Sequence, residues 1–158
     1  MTYNLETGES VSKEVIAHPG AVVIVPVLPD GRICLIRNYR VAVDREMIEL
    51  PAGTLEPGEP PLETAHRELI EETGYRSQSI KPMMDLLMSP GILYEHMYVF
   101  VATDLELGEP DREVGEEIQN LLVDKKQIIE LIQSNAISDS KSVSALLYYL
   151  TFVEPKLR

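Results

Sequence analysis

The chain has 158 residues, a formal net charge of −12 and a sequence pI near 4.6. That length suffices for one domain with its own core, and the acidic balance speaks against a nucleic-acid polymer as partner, which would call for a basic face. A single cysteine, Cys34, rules out an internal disulfide. It sits in an apolar run and reads as core filling.

In chain order, residues 11–18 read as an extended segment. Residues 20–28 are apolar and β-branched, which predicts a buried strand. The turn Pro29-Asp30-Gly31 then leads into residues 32–38 as its hairpin partner. A short strand is expected over 47–50, then a helix opening near Pro60 and Pro61 and closing at Gly74. Residues 79–87 and 94–103 read as two strands around a turn at 88–91. An acidic loop over 104–115 and a strand over 118–123 follow. Asp124 caps a helix running to about Asn135, and Ser140 or Asp139 caps a last helix over 141–152. This is an α/β pattern, a central sheet with helices packed around it. No basic-plus-apolar leader stands at the start, and the apolar runs over 21–28 and 143–153 are too short to span a bilayer. A cytoplasmic protein without a membrane partner is expected.

Residues 53–75, GTLEPGEPPLETAHRELIEETGY, carry most of the functional information. At about 100° per residue, Leu62, Ala65, His66, Leu69, Ile70 and Thr73 cluster on one side of the helix, and Glu68, Glu71 and Glu72 on the other. Like charges at i,i+3 and i,i+4 destabilise a helix by a few tenths of a kcal/mol per pair. Near a helix C-terminus the macrodipole opposes them as well. A bound divalent cation would remove both penalties, whereas a merely solvated acidic face explains the acids but not Gly53, Glu59, Arg67 and Gly74. Arg67 stands four residues before Glu71 and can pair with it, holding that carboxylate in place.

The order Gly53, Glu59, Arg67-Glu68-Leu69, Glu71-Glu72, Gly74 resembles the signature box of the Nudix hydrolases. Further features resemble the ADP-ribose pyrophosphatase branch: Glu49-Leu50-Pro51-Ala52-Gly53 opening the box, Tyr39-Arg40 upstream, Ser89-Pro90-Gly91 downstream with Glu95 beyond it, and His18-Pro19-Gly20-Ala21 before the first long strand. The resemblance covers roughly residues 14–153. It implies one Nudix domain over 1–158, a mixed β-sheet sandwiched between α-helices (α/β/α), with a short N-terminal extended arm over 1–18. It further implies hydrolysis of the pyrophosphate bond of a nucleotide sugar, ADP-ribose first, to AMP and ribose 5-phosphate.

The same resemblance supplies roles. Glu68, Glu71, Glu72 and the Ala52 carbonyl would ligate Mg²⁺ or Mn²⁺, more than one ion per site, since hard cations take oxygen ligands. Arg67 would support the catalytic carboxylates. The general base would be a box glutamate or Glu116 in the acidic loop. Arg40, Arg37, Glu49, Gly91 and Glu95 are candidate substrate contacts; Glu95 reads either as a metal or substrate contact or as a surface acid. Tyr39, Tyr94, Tyr98 and Phe100 could stack on a base or fill the core. The branch is typically homodimeric through its N-terminal segments, so a homodimer is expected. The competing readings are another Nudix specificity, such as GDP-mannose, a dinucleoside polyphosphate, NADH or a damaged nucleotide, and a non-catalytic nucleotide-sugar sensor.

Overall fold

A computed structural model describes residues 1–109 and 118–156. Its centre is β4 (Ala21–Pro26), buried at every position. β4 pairs antiparallel with β7 (Ala52–Thr54) and parallel with β10 (His96–Leu107). β10 pairs antiparallel in turn with β8 (Tyr75–Leu87), giving the order β7-β4-β10-β8. A strand covered on both faces needs no polar alternation, which is why the run AVVIVP is apolar throughout.

The period-two alternation of these strands divides the core. Val23 and Val25 of β4, with Met97, Val99 and Val101 of β10, pack toward Ala145, Leu146 and Leu150, residues of α3 (Ser140–Tyr148) and the π-helical turn Tyr149–Val153 that continues it. Val22, Ile24, Phe100 and Ala102 pack toward Ala65 and Leu69 of α1 (Pro61–Thr73). Full burial of one such aliphatic side chain stabilises by about 1.5–3 kcal/mol. The result is the expected α/β/α sandwich.

A second, antiparallel sheet has the order β11-β5-β6, from β5 (Ile33–Arg40), β6 (Arg45–Glu49) and β11 (Gln119–Val123). The expected hairpin between the first long strand and residues 32–38 does not form as a ladder. An isolated bridge, Val27↔Ile33, joins the residue after β4 to the start of β5, and the two strands lie in different sheets. Both strands are apolar enough to be central, and each finds other neighbours. α2 (Lys125–Gln133) begins at the expected Asp124, which forms a reciprocal capping box with Gln127. Asp139, not Ser140, caps α3 and accepts from Ser142 N.

Three other expectations change. β10 runs on to Leu107, pairing with the start of β8, so the acidic loop begins later than residue 104. β8 starts at Tyr75, directly after the helix, and carries Pro82 beside a bulge on the sheet edge, where a missing N–H is tolerated. The N-terminal arm is a hairpin of β1 (Thr2–Asn4) and β2 (Ser10–Ser12), followed by a short parallel pairing of β3 (Ile16–Ala17) with β9 (Leu93–Tyr94). Among the described residues, no helix is long and apolar enough to cross a membrane.

Candidate active site

Helix α1 is set against the β7 backbone. Pro60 precedes it in extended conformation and Pro61 occupies its first turn. Gly74 ends it at φ +77, donating its N–H to the Ile70 carbonyl, a left-handed closure that glycine adopts without strain. The buried positions are Thr64, Ala65, Glu68, Leu69, Glu72 and Thr73. This corrects the two-sided wheel drawn from sequence. Leu62 is 43% exposed, whereas Glu68 and Glu72 are buried. The helix is covered on two sides, by the sheet beneath Ala65 and Leu69 and by β7 beside the two carboxylates.

Gly53 makes that second contact possible. A Cβ there would lie 1.8 Å from the Glu68 carboxyl carbon, so any other residue would force Glu68 to move. One residue earlier, Ala52 N–H donates to Glu72 Oε2 at 2.9 Å. The i,i+4 pair thus lies along one strand backbone.

Arg67 binds the remaining acids together. Its Nε and Nη2 take the two oxygens of Glu59 at 3.1 and 3.0 Å. Its Nη1 donates to Glu68 at 2.7 Å and Glu71 at 2.8 Å, and Nη2 also reaches the Thr54 carbonyl. The hydrogen bonds from Arg67 are the main reason the Glu59 carboxyl falls to about 2, and the bond to Glu59 is the main reason the guanidinium is raised. Glu59 therefore earns its place in the box by orienting Arg67.

A cleft of about 420 Å³ is lined by Arg40, residues 52–57, Arg67, Glu68, Glu71 and Glu72. Across β7 lies a recess of about 290 Å³ that shares Arg40, Ala52, Gly53 and Thr54 and adds Met88, Glu95, Met97, Asp139 and Lys141. Between them sits a second charge cluster. Arg40 donates through Nε and Nη2 to the two oxygens of Glu49, both at 2.8 Å. Lys141 Nζ reaches Glu49 Oε2 at 2.7 Å and Asp139 Oδ2 at 2.9 Å. Burial by itself would raise the Glu49 carboxyl; Arg40 and Lys141 overcome this and hold it below the usual range.

Residues 17–146 match the family model described as NUDIX domain. The chain belongs to the Nudix family. It is 35% identical over 146 residues to an ADP-ribose pyrophosphatase of Bacillus subtilis (strain 168), covering 91% of this chain and 79% of that protein. It is 32% identical, with the same coverage, to a methanol dehydrogenase activator of Bacillus methanolicus. The crystal structure of an ADP compounds hydrolase superposes with a TM-score of 0.86 at 25% identity, covering 98% of this chain and 84% of that one.

Gly53, Arg67, Glu68, Glu71 and Glu72 of the Nudix box thus meet Arg40 at one cleft. Arg37 does not join them. Alternation along β5 puts Arg40 on one face and Arg37 on the other, with Ile33 and Leu35. Arg37 pairs there with Glu46 at 2.9 Å and lines a groove with α2 residues. Gly91 lies in the exposed turn and does not line the cleft or the recess. Glu95 lines the recess, 3.5 Å from His18 Nδ1, which also accepts the Gly20 N–H. Glu116 lies outside the described residues. Phe100 is core, Tyr98 stacks on His96, and Tyr39 and Tyr94 are exposed. Sequence reading missed Lys141; its only signal was a cation in the first turn of a helix, where cations are disfavoured.

Nudix hydrolases generally depend on a divalent metal. The donor chemistry of the cleft fits one: Glu68, Glu71 and Glu72 offer hard carboxylate oxygens on consecutive turns beside the Ala52–Thr54 backbone. As arranged, Arg67 and the Ala52 N–H engage these oxygens, and among the described residues no three acid, histidine or cysteine groups converge on one point.

Proposed function

We propose that this Nudix hydrolase cleaves the pyrophosphate bond of a nucleoside diphosphate sugar, ADP-ribose first, to AMP and ribose 5-phosphate. The observation that carries the reading is the carboxylate cleft itself, with Glu68 and Glu72 seated against a glycine-opened strand and Arg67 bridging Glu59, Glu68 and Glu71. Sequence likeness to an ADP-ribose pyrophosphatase supports the substrate class.

Glu68, Glu71, Glu72 and the Ala52 carbonyl would hold Mg²⁺ or Mn²⁺, more than one ion. Bound there, such cations would neutralise diphosphate charge and lower the pKa of a coordinated water. The protein's own part is positional. Arg67 holds Glu68 and Glu71 together despite their like charge. Arg40, at the lip shared by cleft and recess, offers its guanidinium to a diphosphate oxygen. Glu95 accepts from a sugar hydroxyl in the recess. A box glutamate or Glu116 takes the proton of the attacking water. The chain works as one domain over 1–158 in the cytoplasm. It forms a homodimer in which the arm over 1–18, with Tyr3, Leu5 and Ile16 exposed, supplies contact.

The test is phosphate release by a coupled phosphatase from ADP-ribose and a panel of nucleotide sugars, dinucleoside polyphosphates and NADH, with and without Mg²⁺. Metal-dependent release led by ADP-ribose is expected. Release led by another class would overturn the substrate assignment and leave the cleft mechanism standing. Binding without turnover would favour the sensor reading.

A further inference from the structure

We infer that Lys141 is a positioning residue for the diphosphate-binding edge of the cleft: it fixes the buried Glu49 carboxylate, which in turn fixes the Arg40 guanidinium. The inference rests on the proposed role of Arg40 at the diphosphate.

Arg40 ends β5, next to a 3₁₀ turn, Val41–Val43, with no buried residue. Packing of the strand end therefore does little to fix its side chain. What fixes it is Glu49, only 2% exposed, through the paired 2.8 Å bonds to Nε and Nη2. A carboxylate held by one partner can still pivot with that partner. Lys141 removes this freedom by binding Oε2 from the opposite direction in sequence, across 92 residues. Lys141 is itself anchored. Its second contact, Asp139 Oδ2, also accepts from Ser142 N at 3.0 Å and Ser142 Oγ at 2.6 Å. Ser142 Oγ in turn accepts the Leu50 N–H at 2.8 Å. The first turn of α3 thus grips the Glu49-Leu50 corner that leads into β7. An ammonium suits this post because its donors diverge and can serve two carboxylates at once. Lys141 lines the recess and not the carboxylate cleft, whereas Arg40 lines both, so an effect of Lys141 on the cleft passes through Glu49 and Arg40.

A double-mutant cycle on Lys141→Met and Arg40→Ala tests this, with kcat and KM measured on ADP-ribose at saturating Mg²⁺. We expect Lys141→Met to raise KM about tenfold with kcat within about threefold, as loss of uniform binding does. In the Arg40→Ala background the same change should move KM less than about twofold, because residues acting through one another are non-additive. Lys141→Arg should restore part of the loss. An undiminished effect in the Arg40→Ala background, or no effect in the wild type, would overturn the inference. If Lys141→Met fails to fold, Lys141→Gln takes its place in the cycle. If wild-type enzyme ignores ADP-ribose but cleaves another panel compound, the substrate reading fails alone and the cycle is run on that compound. If nothing is cleaved, the cycle is read as Kd for ADP-ribose by calorimetry.

Discussion

Two charge clusters flank β7, and they are built on opposite balances. On the α1 side Arg67 bridges the carboxylates of Glu59, Glu68 and Glu71, with Glu72 beside them on the Ala52 N–H. On the α3 side two cations, Arg40 and Lys141, face two carboxylates, Glu49 and Asp139. The first cluster lines an open cleft in which the carboxylates of Glu56, Glu68, Glu71 and Glu72 outnumber the guanidiniums of Arg40 and Arg67. The second is closed around a carboxylate that is 2% exposed. A cluster short of positive charge is a place for cations to arrive. A balanced one, closed around a buried carboxylate, holds geometry. The contrast predicts that losing a carboxylate from the first cluster costs turnover more than stability, whereas losing the buried Glu49 from the second costs stability.

The largest effect should come from setting Glu72→Gln against Glu49→Ala. Glu72→Gln keeps the shape and the acceptor for the Ala52 N–H but removes a charge that the cleft needs. We expect kcat to fall about 10²- to 10³-fold, the scale of losing one preorganised electrostatic group, with little change in melting temperature. Glu49→Ala leaves Arg40 and Lys141 facing each other without their shared anion; breaking a fully buried pair costs about 3–5 kcal/mol, and the loss here should be smaller because Arg40 is 41% exposed and Lys141 keeps Asp139. Urea denaturation should show that loss. If Glu72→Gln unfolds the chain while Glu49→Ala leaves its stability intact, the division of labour is wrong.

Gly53→Ala sharpens the same point. The new methyl would meet the far end of the Glu68 side chain, not backbone. The carboxylate can swing aside, so the fold should survive with a small shift in melting temperature. Displacing a reacting group by an ångström can cost about 10²-fold, and kcat should fall by about that much. A large drop in stability instead would mean that Glu68 cannot move and that its position is a packing requirement.

These pairings explain what the sequence made legible. The box is read from spacing alone because its residues sit on one helix and the strand leading to it, where i,i+4 geometry is dictated locally. The unbroken apolar run at 21–26 announced a strand covered on both faces. Lys141 and Glu49 are 92 residues apart, and no local rule joins them. The divergence of β4 and β5 was hidden for a similar reason, because strand partners are chosen by tertiary competition and not by the turn between them. The wheel of α1 went wrong because hydrophobicity marks only the face toward the sheet, whereas β7 buries carboxylates.

A smaller, pH-dependent effect lies in Glu59. Arg67 holds its carboxyl near 2, below the ordinary 4.5. A carboxyl depressed on folding contributes stability that is fully present above its unfolded pKa and is lost as pH falls through the folded value. Glu59→Gln should therefore lower the melting temperature by a constant amount above about pH 5, with the gap from wild type closing as pH falls toward 2. A gap that persists unchanged at the acid end would mean that Glu59 acts by shape and not by charge.

The smallest effect is expected at Arg37, and it tests strand alternation directly. Arg37 and Arg40 are three residues apart on one strand, similar in chemistry and both candidate substrate contacts by sequence. Odd spacing puts them on opposite faces of β5. Arg40 meets the cleft, and Arg37 forms an ion pair with Glu46 in which both side chains are more than a third exposed. Exposed pairs contribute about 0–1 kcal/mol, so Arg37→Ala should leave stability and KM nearly unchanged, whereas Arg40→Ala raises KM. A KM raised as much by Arg37→Ala as by Arg40→Ala would require substrate to touch the α2 face of the second sheet. Within one chain that face is turned away from the cleft, so the contact would have to come from a second copy.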